Sequence, residues 1–128
     1  MLTKEDIWER LQTRSIWVPW DTWTSLFPDL AGGNLPEDQM RYITYVGITG
    51  NRNVTTGVQI RLSREGEAST ENKFSPIPVA PADFVQIPQS HSIEDPIMVV
   101  EGGGDLEAIT DIRGLSLNVT LQYWDHHI

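Results

Sequence analysis

The sequence predicts a mainly β protein: an antiparallel β-sandwich of the jelly-roll or Greek-key type, with a short N-terminal helix and an extended arm. Three observations carry this prediction. Between residues 115 and 124, Leu115, Leu117, Val119, Leu121 and Tyr123 alternate with Ser116, Asn118, Thr120 and Gln122. That period of two marks a long strand with one dry face. Several shorter apolar stretches follow one another with Gly-, Pro- and Asn-rich turns between them, which suits two packed antiparallel sheets. A polar and then proline-rich connection over residues 64–83 is long enough to cross between sheets, as a Greek key or jelly roll requires.

Taken in order, residues 4–13 read as a helix. Thr3 can cap it, Asp6 completes a weak capping box, and Ile7, Trp8 and Leu11 fall on one face. A helix this short does not persist alone in water and must dock. Residues 15–28 hold Trp17, Val18, Pro19, Trp20, Trp23 and Pro28, a mixture that favours extended backbone. Residues 29–36 form a loop marked by Gly32, Gly33 and Pro36. This divides the chain into a helix and Trp-rich arm, residues 1–36, and a β-sandwich domain, residues 37–128.

Residues 41–49 and 54–63 read as a hairpin, with Gly50, Asn51, Arg52 and Asn53 supplying the turn. In the first of these strands strict alternation places Tyr42, Val46 and Ile48 on one face and Ile43 and Tyr45 on the other. Both faces are partly apolar, so the strand is expected to be covered on both sides. Residues 63–73 form a polar loop. Pro76, Pro78, Pro81 and Pro88 exclude a regular central strand from residues 74–88 and leave at most a short edge strand at 84–87. Residues 97–100 form a short strand. Gly102, Gly103 and Gly104 turn the chain, and Leu106, Ala108, Thr110 and Ile112 mark the next strand. Arg113 and Gly114 lead into the terminal one. Burying five large apolar side chains at roughly 1.5–3 kcal/mol each makes a one-residue slip of that strand costly.

Composition excludes several functions. The chain of 128 residues carries a formal charge of −9 and no cysteine. An acidic surface disfavours nucleic acid and anionic membranes as partners. Without cysteine there is no disulfide, thiolate nucleophile or Cys-bound zinc. The polar start, Thr3, Lys4, Glu5 and Asp6, does not read as a secretory signal. The sequons at Asn53 and Asn118 are therefore read as chance.

Candidate chemistry is weak. His126 and His127 are adjacent and so point to opposite faces of a strand. His91 lies near Ser92, Glu94 and Asp95, but proximity in sequence is not a catalytic triad. Glu94, Asp95, Glu101, Asp105, Glu107 and Asp111 match no calcium loop. The three consecutive glycines precede a strand, whereas phosphate loops precede a helix. No catalytic, cofactor or metal site is expected. The tryptophans are the stronger signal, with Trp8, Trp17, Trp20 and Trp23 crowded near the start, since Trp is enriched at interface hot spots.

A short helix, a Trp-rich arm and an acidic, cysteine-free β-sandwich together resemble small accessory proteins of tailed-phage particles. Capsid decoration (cement) proteins are the closest type, with small tail and head-completion proteins beside them. The resemblance is one of architecture and rests on no motif. It implies a non-enzymatic virion protein at the capsid surface, with the major capsid protein as partner and a homo-oligomer, a trimer, as its state. The expected interface is Trp8, Trp17, Trp20, Trp23, Leu26 and Phe27 of the arm, with Ile43 and Tyr45 of the sandwich. A carbohydrate-binding module using Trp20 or Trp23 is the alternative.

Overall fold

The computed structural model describes residues 3–20, 22–30, 34–50, 55–64, 71–81, 83–87, 96–111 and 116–127. His91, Glu94, Asp95, the turn residues 51–53, Gly32, Gly33, Arg113, Gly114 and Leu115 lie outside the described residues. Among the described residues one helix, α1 (Lys4–Arg10), precedes nine strands: β1 (Gln12–Val18), β2 (Thr24–Ser25), β3 (Gln39–Thr49), β4 (Thr56–Arg64), β5 (Glu71–Val79), β6 (Phe84–Ile87), β7 (Met98–Val100), β8 (Gly104–Thr110) and β9 (Leu117–His127).

The strands form two antiparallel sheets. Sheet A runs β1-β9-β3-β6, with β7 beside β6 on the same flank of β3; sheet B runs β2-β8-β4-β5. The first strand pairs with the last, the second with the penultimate, β3 with β6 and β7, and β4 with β5. A long antiparallel ribbon folded over into two sheets has this pairing, which is the jelly-roll arrangement. The sandwich expected from sequence is present, and β9 is central as its alternation requires: Leu117, Val119, Leu121 and Tyr123 are buried.

Several finer expectations are corrected. The hairpin expected of residues 41–49 and 54–63 is not formed; β3 lies in sheet A and β4 in sheet B. A turn signal reports that the chain reverses, not that the two flanks pair. Residues 71–79 form a full strand despite Pro76 and Pro78, tolerated because β5 is an edge. The helix stops at Arg10 because Gln12 already pairs with Tyr123. Its capping box is formed: Thr3 Oγ1 accepts from the Asp6 N–H at 3.1 Å, and Asp6 Oδ2 accepts from the Thr3 N–H at 2.9 Å. Ile7 is buried against Trp124, with Leu11 and Tyr42 alongside, whereas Trp8 stays exposed.

The first 36 residues are not a separate arm. β1 is a strand of sheet A and β2 a strand of sheet B. Beyond β2 the chain is strung along β8: the Leu26 N–H donates to Leu106 O, the Leu35 N–H to Gly104 O, and the Gly103 N–H to Leu35 O. Val18, Leu26, Phe27 and Leu35 enter the core with Ile43, Val46 and Ile48 of sheet A and Val58, Ile60 and Leu106 of sheet B. The glycines at 102–104 make a tight turn, with Gly103 at φ +81° and the Gly104 N–H donating back to Glu101 O.

A charged cluster sits at one end of this core. Arg41 is 1% exposed. Its Nε and Nη2 donate to the two carboxylate oxygens of Asp125 at 2.7 and 2.9 Å, and Nη1 and Nη2 donate to Asp29 at 3.2 and 2.9 Å. The guanidinium also lies over the rings of Tyr123, at 4.0 Å, and Phe27, at 4.6 Å. The cluster ties the loop after β2 to the two central strands of sheet A.

Two carboxylates give stability opposite pH slopes. Burial pushes Asp105 up to about 6; hydrogen bonds from Ser25 and the Leu106 backbone and the charge of Arg41 oppose the shift, and Glu107 adds to it. The folded state therefore holds a proton that the unfolded state releases near pH 4, and stability falls as pH rises between about 4 and 6. Burial also pushes Asp29 up, but the hydrogen bonds and charge of Arg41 outweigh it and the net shift is downward. Stability from Asp29 is present above about pH 4 and lost below it. Thermal melting is expected to peak near pH 4–5. Asp105→Asn should raise stability at pH 7 by roughly 1–3 kcal/mol and flatten the slope above the peak; a melting curve unchanged in both respects would refute the assignment.

Candidate functional site

The sites expected from sequence separate in the structure. Leu26, Phe27 and Ile43 are fully buried; they belong to the chain's own core and present no surface to a partner. Ile43 moves to the inner face because of a β-bulge between Ile43 and Tyr45. Thr44 is the extra residue, buried, with its hydroxyl donating to Gln122 O at 3.1 Å. The bulge changes parity, so Ile43 shares the inner face with Val46 and Ile48 while Tyr45 points outward. Trp23 lies beneath the Arg61 guanidinium, 3.9 Å from its ring centre, and Arg61 also bonds Glu107 at 3.1 Å. Trp8, Trp17 and Trp20 are 57%, 68% and 38% exposed.

Trp17 and Tyr45 lie on one surface, the outer face of sheet A. Along β1, Val18 points into the core, so Thr13, Ser15 and Trp17 point outward by alternation. Register then builds transverse rows. Phe84, Thr49, Asn118 and Trp17 form the first; Gln86, Gly47, Thr120 and Ser15 the second; Tyr45, Gln122 and Thr13 the third. Beyond them Tyr42 stacks on Trp124 at 4.3 Å beneath α1. No Asp, Glu, Lys or Arg occupies any of these positions.

The rows are knit by polar contacts. The hydroxyls of Ser15 and Thr120 are 2.9 Å apart, and Thr120 donates to Asn118 Oδ1 at 3.4 Å. Tyr45 hydrogen-bonds Gln86. A Cβ on Gly47 would sit 2.7 Å from both Phe84 Cζ and Tyr45 Oη, so those two rings converge above the glycine. Only glycine allows that approach.

The same strand gives sheet A an open side. Four strand edges bound a sandwich of this kind, and three of them are guarded among the described residues. β2 has two residues, β5 carries prolines, and β6 and β7 are short. β1 is seven residues long, carries one charged residue, Arg14, and neither lysine nor proline, and pairs with β9 alone.

A polar cleft lies at the far end of β9, lined by Glu9, Arg10, Gln12, Asp125, His126 and His127. Among the described residues no three His, Cys, Asp or Glu side chains come together as metal ligands. No described helix is long and apolar enough to cross a membrane.

Sequence reasoning missed the outer face because it is assembled from β1, β3, β6 and β9, far apart in the chain. The one available signal was the neutral, polar set alternating with the core residues of β9. No protein-family model matches the chain, and a search of curated proteins finds no match.

Proposed function

We propose that the protein is a non-enzymatic structural protein of a viral particle, a capsid decoration (cement) protein that attaches to an assembled protein shell. The observation that carries this reading is the open edge of β1, which carries a single charge, Arg14, and the exposed Trp17, with the exposed Trp8 on the helix just before it in the chain. An open edge offers main-chain donors and acceptors to a strand of a partner, and side chains beside it set specificity. Trp8 is an anchor of the type that dominates interface energetics. The jelly-roll arrangement agrees with the reading by analogy alone. The partner is the major capsid protein, and the same edge can be shared between copies of this chain in a homo-oligomer.

Co-expression with the proteins encoded beside it, followed by sedimentation of the assembled shells, tests the proposal. Thr13→Lys combined with Trp8→Ala blunts the edge and removes the anchor, and both side chains are exposed. The expected result is an unchanged melting temperature with loss of co-sedimentation. Attachment that survives both changes would place the contact elsewhere and sink the edge-docking reading.

A further inference from the structure

We propose that the outer face of sheet A binds a neutral oligosaccharide chain lying across its strands between Trp17 and Phe84. The inference goes beyond attachment to a shell and does not depend on it. Strand addition at β1 uses backbone groups in the plane of the sheet, whereas the side chains of this face project perpendicular to that plane.

Charge is the first argument. The chain holds 18 acidic and nine basic residues, yet none of them occupies the outward rows from Trp17 to Phe84. A ligand selected by ionic contacts would find none there. The second argument is layout. Protein–protein interfaces place an apolar core inside a polar rim. Here the order is inverted. Trp17, 68% exposed, and Phe84, 46% exposed, stand on opposite edges of the sheet. Their strands are separated by about 14 Å, three strand spacings, and the Phe84 ring leans inward over Gly47. Hydroxyl and amide groups lie between them. A pyranose ring has an apolar C–H face that stacks on an aromatic ring, and a rim of hydroxyls that both donate and accept. The linked Ser15, Thr120 and Asn118 side chains supply the matching groups, because hydroxyls and carboxamides also do both. The third argument is shape. The convergence of Phe84 with the Tyr45 hydroxyl over Gly47 raises one wall beside that polar strip, and Trp17 forms the other.

Native affinity electrophoresis of the purified chain tests this. The probes are hydroxyethyl cellulose, glucomannan, laminarin and dextran as neutral polymers, with polygalacturonate as the anionic comparison. Retardation by at least one neutral polymer and none by polygalacturonate is expected. Trp17→Ala and Phe84→Ala should each weaken it by about tenfold or more. Asn118→Asp, which places a charge in the strip, should abolish it, while Trp8→Ala should leave it unchanged. Circular dichroism melts verify folding, and both aromatic side chains are exposed enough to be removed without loss of core. No retardation by any neutral polymer overturns the proposal. So does retardation by polygalacturonate alone, or neutral binding that persists in the Trp17→Ala, Phe84→Ala double variant. If Trp17→Ala abolishes shell attachment while the parent chain binds no polysaccharide, the face belongs to a protein partner and the inference fails, whereas the capsid reading stands.

Discussion

Replacing Arg41 by Met is expected to lower stability by about 3–5 kcal/mol at pH 7. The guanidinium is 1% exposed and supplies four hydrogen bonds to Asp29 and Asp125. Removing it leaves two carboxylates facing each other at the end of the core with no cation between them. Their mutual repulsion and lost hydrogen bonds dominate the effect; the Met side chain recovers part of the packing against Phe27 and Tyr123. Adding Asp29→Asn and Asp125→Asn to Arg41→Met should therefore restore much of the loss, since the uncompensated charge, not the missing contact, is the main penalty. Urea unfolding midpoints of the single and triple variants measure both quantities. A single-variant loss under about 1 kcal/mol would class the cluster with exposed surface pairs.

Deleting residues 1–34 is expected to abolish folding. The deletion takes β1 from the flank of β9 and β2 from the flank of β8, and removes Val18, Leu26 and Phe27, each fully buried. At roughly 1.5–3 kcal/mol per side chain, those three alone approach the 5–15 kcal/mol that a domain of this size has in total. Asp29 goes as well, so Arg41 loses one of its two carboxylates. Far-ultraviolet circular dichroism and a melting scan of the truncated chain decide the matter. A cooperative transition with a strand-rich spectrum would mean that sheet B holds together without β2 and that the N-terminal segment is an accessory after all.

How much of this was legible in the sequence depends on the range of the physical signal. β9 was legible because burial on one face imposes strict alternation, a local constraint that Leu117, Val119, Leu121 and Tyr123 satisfy without exception. The cap of α1 was legible for the same reason: Thr3 and Asp6 are three residues apart. β3 and β4 were correctly seen as strands but wrongly paired, because nothing local distinguishes a hairpin from a crossing between sheets. Ile43 was assigned to the wrong face because one extra residue, Thr44, breaks the parity on which the assignment rested. Arg41 gave no warning, since a lone arginine in a strand ordinarily faces water; its partners lie 12 and 84 residues away. The neutral face of sheet A needed four strands in register before it existed.

The pairing of β1 and β3 with β9 also imposes a schedule on synthesis. β3 ends at Thr49 and β9 begins at Leu117, so β3 emerges from a ribosome well before its main partner. At roughly 5–20 residues per second the wait is about 3–14 s. During that interval β6 and β7 can pair along one flank of β3, but its other flank stays open, and β1 has no partner at all. Closing loops this long is entropically slow as well. A nascent chain of this protein therefore carries one half-paired strand, β3, and one unpaired strand, β1, until its last strand is made, which makes it a natural client for chaperones that hold extended segments.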